Sequence, residues 1–255
     1  MEQDNLLFYN EYEQFYGMAQ SSEAFRHFCE EAFGNDFSQD GFSDTAQVDR
    51  ILKYIPTDRK AHILDIGCGN GKMLGYLQKK TGAYIYGFDY SQNAIDTARA
   101  TFKTDSDFKQ ACIGEIDYPA GTFDVIVSMD TMYFAPDMAA FTDQIMKWLK
   151  KGGTFFTCYQ EGDVVPKTDN ADTSQLAQIL RSKGIHYECT DITRESYDLL
   201  LRKKKAALSL KDEFEREGNG DWCDMLIAQT EYADKPFEEY RKELARYVYV
   251  VRKNK

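Results

Sequence analysis

Apolar and polar positions change their period twice along this 255-residue chain. In residues 5–33, Phe8, Tyr9, Tyr12, Phe15 and Tyr16 recur at near-helical spacing; Ser21-Ser22-Glu23-Ala24 reads as a helix start and Gly34-Asn35 as a stop. A polar loop carrying Phe37 and Phe42 fills 35–44, and a helix from Thr45 to Tyr54 is closed by Pro56. An alternation then begins. Strand 62–66 precedes helix 71–80, strand 83–88 precedes a helix from Ser91 to Phe102, and a less distinct strand covers 107–113. Strand 124–128 precedes helix 137–150, strand 154–159 precedes helix 172–183, and a strand follows at 186–192. Helical signals return over 194–243, broken at Gly218-Asn219-Gly220 and Pro236, and Arg246 to Val251 forms a last strand. Strands alternating with helices of this length predict an α/β fold, a doubly wound, mostly parallel sheet of seven strands. The β-branched and aromatic runs suit strands covered on both faces. The expected division is an N-terminal helical cap at 1–44, the core at 45–193, a helical lid insertion at 194–243, and the last strand and tail at 244–255. No repeat, low-complexity segment or long linker interrupts it.

Composition narrows the function. Apolar residues make up 43% of the chain, enough for a full core, and 17 Tyr, 17 Phe and 2 Trp exceed what an ordinary core needs. The surplus fits either an aromatic-lined pocket or a Tyr-rich core and surface. A net charge of −11 repels polyanions, so nucleic acid is an improbable partner. The one dense basic run, Arg202-Lys203-Lys204-Lys205, reads as a solvated helix face. Six cysteines lie scattered without a C-x-x-C pair, which points to a reducing, cytoplasmic compartment. The first residues lack the basic and apolar regions of a signal peptide, and no apolar run reaches the length of about 18 residues that a membrane span needs. His27, His62 and His186 show no metal-ligand spacing, and no metal is expected.

The most informative stretch is 63–71, Ile-Leu-Asp-Ile-Gly-Cys-Gly-Asn-Gly. It reads as a strand, a glycine turn and a helix start. Such a turn brings bare peptide and free N–H groups to a ligand. The G-x-G-x-G spacing is neither the G-x-G-x-x-G of dinucleotide binders nor a Walker loop. Eighteen residues beyond Gly71, Asp89 ends the second strand, where an acid can accept both hydroxyls of a ribose. An acid after a strand also serves as a helix cap, but Ser91 is the better cap here.

Together these residues give the chain a resemblance to class I S-adenosylmethionine-dependent methyltransferases acting on small molecules. It rests on 63–71, Gly87-Phe88-Asp89, Thr122-Phe123-Asp124-Val125-Ile126-Val127-Ser128 and Leu149-Lys150-Lys151-Gly152-Gly153, in the family's order and spacing, and covers about 45–160. It implies a Rossmann-like core that binds S-adenosylmethionine and releases S-adenosylhomocysteine. Asp65 would orient the methionine amino group. Gly67 and Gly69, with Cys68 between them, would bring backbone to the methionine and ribose portions. Asp89 would hold the ribose and Tyr90 would stack on the adenine. One departure stands out: where the family has an acid for the adenine amino group, this chain reads Ala111-Cys112-Ile113, leaving the backbone of Cys112 and Ile113 to meet the ring. Ser128, Met129 and Asp130 are expected near the sulfonium. Asp130 would contact the methionine amino group, bind a cationic acceptor or cap the next helix. The segment lacks the (Asp/Asn/Ser)-Pro-Pro-(Tyr/Phe) pattern of enzymes that methylate nucleic-acid bases.

The acceptor, an amine or a phenol, is expected between the N-terminal helices and the insertion, against Tyr12, Tyr16 and Tyr133. Asp130, Tyr16 and His27 are the candidate catalytic groups, although His27 also reads as an ordinary helix-surface histidine. Transfer would be a direct in-line displacement. A protein or peptide methyltransferase and a non-catalytic cofactor-binding subunit are the alternatives; a nicotinamide oxidoreductase conflicts with the glycine spacing.

Overall fold

The computed structural model describes residues 6–39 and 41–254. Seven strands form one sheet: β1 (His62–Ile66), β2 (Tyr84–Asp89), β3 (Ser106–Gln110), β4 (Phe123–Met129), β5 (Leu149–Glu161), β6 (Tyr187–Asp191) and β7 (Ala245–Arg252). Their order is β3-β2-β1-β4-β5-β7-β6. The first five run parallel, while β7 lies antiparallel between β5 and β6. The chain moves outward from β1 to β3, then returns to the other side of β1 as β4. That reversal opens a crevice above the carboxyl ends of β1 and β4, where open α/β sheets bind ligands.

Alternation along the strands divides the core. Ile63, Val125, Val127 and Phe156 pack on one face with α2 (Glu23–Phe33), α4 (Lys72–Thr81) and α5 (Gln92–Thr101). Leu64, Ile66, Ile126 and Phe155 pack on the other with α6 (Met138–Trp148) and α7 (Gln175–Ser182). Helix starts follow side-chain capping: Ser22, Ser91, Asp137 and Ser174 each accept the amide three residues on. Above the first face lie α1 (Tyr9–Ala19) and the helices between β6 and β7: α8 (Thr193–Ser209), α9 (Lys211–Arg216), α10 (Gly220–Ala228) and α11 (Phe237–Glu243). Helix α2 packs against α8, so the N-terminal cap and the insertion touch.

Three elements differ from the sequence reading. The helix expected over Thr45–Tyr54 is α3 (Thr45–Asp49) followed by a 3-10 turn at Leu52–Tyr54. The helix expected to reach residue 150 stops at Trp148; strand β5 starts at once and bulges before Thr154, with Gly152 at φ 75°. Strand β3 ends at Gln110, which frees Ala111–Ile113 to turn into the crevice. Among the described residues, no helix is long and apolar enough to cross a membrane.

At the amino ends of the strands, buried Asp124 ties β1, β4 and β5 together. Its oxygens accept from Arg59, from the His62 amide at 2.9 Å and from Lys150 at 2.7 Å. Burial opposes the charge, but Lys150, the His62 amide and Arg59 together outweigh it and hold the pKa below the usual carboxylate value. A depressed pKa adds stability above the unfolded-state value that is lost as pH falls through the folded-state one. Asp124→Ala should therefore cost about 2 kcal/mol in urea unfolding at neutral pH. That deficit should shrink as pH falls below about 4, where the unfolded state takes up its proton first, and level off once the native carboxylate is protonated at still lower pH.

Candidate functional site

The turn after β1 is drawn onto β2 by the amides of Gly67 and Cys68, which both donate to Phe88 O at 2.9 and 3.0 Å. Two of its glycines are required by what lies against them. A Cβ on Gly67 (φ 69°) would sit 2.6 Å from the Thr131 methyl carbon. A Cβ on Gly69 (φ 52°) would sit 2.2 Å from the Tyr16 hydroxyl. Backbone therefore forms the surface of the crevice here, as a close-fitting ligand demands.

Two carboxylates flank the turn. Asp65, 2% exposed at the carboxyl end of β1, has an Oδ1 without a hydrogen-bond partner. Burial first, then the proximity of Asp89, pushes its pKa well above the usual value. An orphaned buried acceptor of this kind matches a cationic donor supplied by a ligand. Asp89 accepts the Gly69 amide at one oxygen and the Ser91 amide at the other, each at 2.9 Å, so it fixes the glycine turn and the entry to α5. Burial raises it to about 6, although these amide bonds pull the other way.

A cavity of about 380 Å³ runs along the carboxyl ends of the strands. Asp65, Gly67 and Asp89 line its middle; Tyr90, Ala111, Cys112 and Ile113 line one end, and Met129, Asp130 and Thr131 another wall. Tyr90 donates to Leu7 O at 3.1 Å, and its ring meets those of Tyr9 and Tyr12 with centroids 5.6 and 6.1 Å away. Burial and a hydrogen bond with Glu115 push the Cys112 thiol up to about 11. The cover comes from Tyr12, Tyr16 and the loop after α2. That loop is tied to the glycine turn: Gln39 donates to Cys68 O at 3.0 Å, Asn70 donates to Ser38 O at 2.7 Å, and Lys72 pairs with Asp36 at 2.6 Å. The sequence identified it only as polar.

A second cavity, of about 420 Å³, lies between the cap and the insertion. Tyr12, Phe42, Tyr133 and Phe134 line both cavities. The second is otherwise walled by α1, by Gln160 and Gly162–Val164 beyond β5, by α8 and by Trp222, Tyr232 and Tyr240.

Several expected site residues stand elsewhere. His27 is partly exposed on α2, hydrogen-bonds Glu213 at 2.7 Å and lines neither cavity, so the catalytic expectation is corrected to a contact at the helix surface. The Cys68 side chain is fully buried under Gly87, where an added Cβ would meet its sulfur at 2.5 Å; only its backbone serves the turn. Ser128 is also fully buried and bonds Thr131 Oγ1 at 2.6 Å; Thr131, bonded in turn to Ile66 O, is the residue that faces the cavity. Tyr16 sits on the glycine turn and lines the first cavity but not the second.

Asp130 lines the first cavity but is neither a free base nor a helix cap. Arg246 Nε reaches both of its oxygens at 3.1 Å and Nη2 reaches Oδ2 at 2.6 Å. Asp137 caps α6 instead. Arg246 is fully buried and also donates to Phe42 O, Gln47 Oε1 at 2.9 Å and Ser43 Oγ at 2.6 Å. The sequence reading missed it; the available signal was a lone arginine opening an otherwise apolar strand. The basic run 202–205 is also corrected: Arg202 and Lys204 pair at the surface with Asp44 and Asp234, while Lys203 is 2% exposed and faces the second cavity.

Known proteins fit this geometry. Residues 64–157 match the family profile described as Methyltransferase domain. The chain is 30% identical over 202 residues to phosphoethanolamine N-methyltransferase 3 of Arabidopsis thaliana, covering 72% of this chain and 41% of that protein. It is 30% identical over 99 residues to the ubiquinone biosynthesis O-methyltransferase of Neisseria meningitidis serogroup A, covering 37% and 42%. It superposes with a TM-score of 0.76 on Haemonchus contortus phosphoethanolamine N-methyltransferase 2 in complex with phosphomonomethylethanolamine and S-adenosylhomocysteine, at 18% identity over 96% of this chain and 60% of that one. The matched segments span less than half the length of each of these two sequence relatives. The fold and the match over 64–157 are those of a class I S-adenosylmethionine-dependent methyltransferase domain.

Gly69→Ala should weaken S-adenosylhomocysteine binding at least tenfold by calorimetry, because Tyr16 must leave the turn. Gly82→Ala, at φ 69° with open space around it, is the control. It should leave affinity unchanged and cost only about 1 kcal/mol of stability.

Proposed function

We propose that this protein transfers a methyl group from S-adenosylmethionine to a nitrogen or oxygen of a small molecule held in the second cavity. The observation that carries the reading is the wall shared by two cavities: one lined by an orphaned carboxylate, bare glycines and a second acid, the other by aromatic rings of the two helical covers. When bound, the cofactor supplies an electrophilic methyl on a sulfonium and leaves as S-adenosylhomocysteine. Asp65 receives its ammonium, Gly67 and Gly69 give the backbone surface for the methionine and ribose portions, and Asp89 accepts the ribose hydroxyls. Tyr90, Cys112 and Ile113 enclose the adenine without a carboxylate, through ring contact and backbone groups. Met129 and Thr131 lie at the wall that leads toward the acceptor.

The chain's own contribution is orientation and exclusion of water. Tyr12 and Tyr133 border both cavities and hold the acceptor atom facing the cofactor side. Burial keeps the Tyr133 hydroxyl protonated, so it acts as a hydrogen-bonding group and not as a base. An acceptor arriving as the neutral amine needs no stronger base. Tyr12, Trp222 and Tyr232 give the cavity aromatic walls that suit a small amine, and the N-methyltransferase relatives support it. The net charge of −11 disfavours nucleic acid as the acceptor. Six unpaired thiols fit a reducing, cytoplasmic setting.

The test is methyl transfer from labelled cofactor to panels of small amines and phenols. Product with an amine, together with released S-adenosylhomocysteine, is the expected result; cofactor binding without product on any panel member would make the chain a non-catalytic binding subunit. Only ionised Asp89 can accept both ribose hydroxyls. S-adenosylhomocysteine affinity should therefore be full above about pH 7 and fall as pH drops through the Asp89 value of about 6. Asp89→Asn should bind at least tenfold more weakly near neutral pH and lose that pH dependence.

A further inference from the structure

Strand β5 ends in the wall of the second cavity. Gln160 is its last residue on the face that carries Phe156 and Cys158, and it stands opposite Arg246 of β7. Two features fix it there. Glu161 turns to the other face and accepts the Thr168 amide and hydroxyl at 2.9 and 2.8 Å. Gly162 (φ 99°) follows, where an added Cβ would collide with Glu243 O. Gln160 is 8% exposed and lines the cavity, yet its side-chain amide has no hydrogen-bond partner among the described residues. Ser196, 7% exposed on α8, lines the same cavity. Its hydroxyl accepts Arg246 Nη1 at 3.5 Å, and its own hydrogen has no acceptor among the described residues. Both residues adjoin Arg246, whose charge Asp130 already meets. The corner they form is polar and offers neutral groups. Of the other polar residues in this wall, Glu11, Asp163 and Glu231 are exposed, while Lys203 and Gln229 have partners of their own. Strand β4 pairs with β5, and its head brings Met129 and Asp130 to the first cavity, so the corner lies near the boundary that the methyl group must cross.

We propose that Gln160, together with Ser196, recognises a hydroxyl group of the acceptor. A buried amide without a partner is costly, and a ligand that supplies the partner recovers that cost. An amide oxygen and a hydroxyl hydrogen are matched by a group that both donates and accepts, and a hydroxyl is the small neutral group of that kind. It donates to Gln160 Oε1 and accepts from Ser196 or from Gln160 Nε2. A charged group would receive little from an amide and a hydroxyl in exchange for its hydration. The assignment rests on the second cavity being the acceptor site. A pocket built to bond a hydroxyl strands its own polar groups when a methyl takes that place, so discrimination should reach at least about tenfold.

The experiment titrates two matched pairs, each exchanging a hydroxyl for a methyl, into the protein saturated with S-adenosylhomocysteine: ethanolamine against propylamine, and catechol against 2-methylphenol. The native protein should bind the hydroxyl member of at least one pair about tenfold or more tightly. Gln160→Met, which keeps the volume and removes the amide, should bring that ratio close to one, and Ser196→Ala should lower it in part. Gln160→Met should also keep its S-adenosylhomocysteine affinity and melt no lower than the native protein, because it loses no internal bond. A native protein without preference, including one that binds no member of either pair, overturns the assignment. A preference that survives in Gln160→Met does the same, as does a lowered melting temperature with the ratio unchanged. Should Gln160→Met fail to fold, Gln160→Asn, which withdraws the amide by one carbon, should lower the ratio, and an unchanged ratio overturns the assignment. With labelled cofactor and ethanolamine, label on nitrogen makes the hydroxyl a handle beside the nucleophile, and label on oxygen makes it the nucleophile itself; both fit the assignment. Failure of the methyltransferase reading is distinguishable: it appears as absent S-adenosylhomocysteine binding, or as acceptor binding without methyl transfer in the native protein.

Discussion

The ion pair of Arg246 with Asp130 holds the functional half of this molecule together. Two charges withdrawn from water cost several kcal/mol each, and a pair recovers that only when its geometry is good and the remaining donors are satisfied. Both conditions hold. The guanidinium grips the carboxylate from two of its nitrogens and spends its other hydrogens on Phe42 O, Gln47 and Ser43. These partners come from the residue that follows β4, from α3 and from the loop before it, while Arg246 is the second residue of β7. One side chain thus sets the distance between the head of the sheet and the cover above it. Phe42, whose carbonyl it holds, belongs to the wall between the two cavities. Asp130 could not be replaced without stranding a buried guanidinium.

What the sequence disclosed and what it withheld follow from the range of the interactions. Strand and helix periods are local, so the alternation from residue 62 onward and the last strand were legible with errors of a few residues. The glycine turn and Asp89 were legible because their spacing is fixed by one βαβ unit. The partner of Asp130 lies 116 positions away in the chain, and nothing in the composition joins the two. The loop after α2 looked like ordinary polar connection because its bonds to Cys68 and Asn70 are visible only once the sheet has formed. Lys203 was a different failure. Its neighbours made it look solvated, although the helical spacing from Ser196 would have placed it on the apolar face.

The core over 64–157 matches a broad family, whereas the surroundings of the second cavity come from the cap and the insertion. Position in the fold explains that contrast. Strand ends that receive a common cofactor are constrained by a molecule that does not vary, while helices laid across the crevice are free to be reshaped for one acceptor or another.

Asp65 has a further meaning for the stability of the protein. A carboxylate with an unsatisfied oxygen, buried beside a second acid, is a place where the native state sits above its own energy minimum. Replacing it with an apolar residue of similar size would remove repulsion and desolvation together, and the domain would become more robust. The head of β1 thus keeps a costly carboxylate that the packing of the fold does not require. A donor brought to that oxygen would relieve the strain, so filling the site would stabilise the domain.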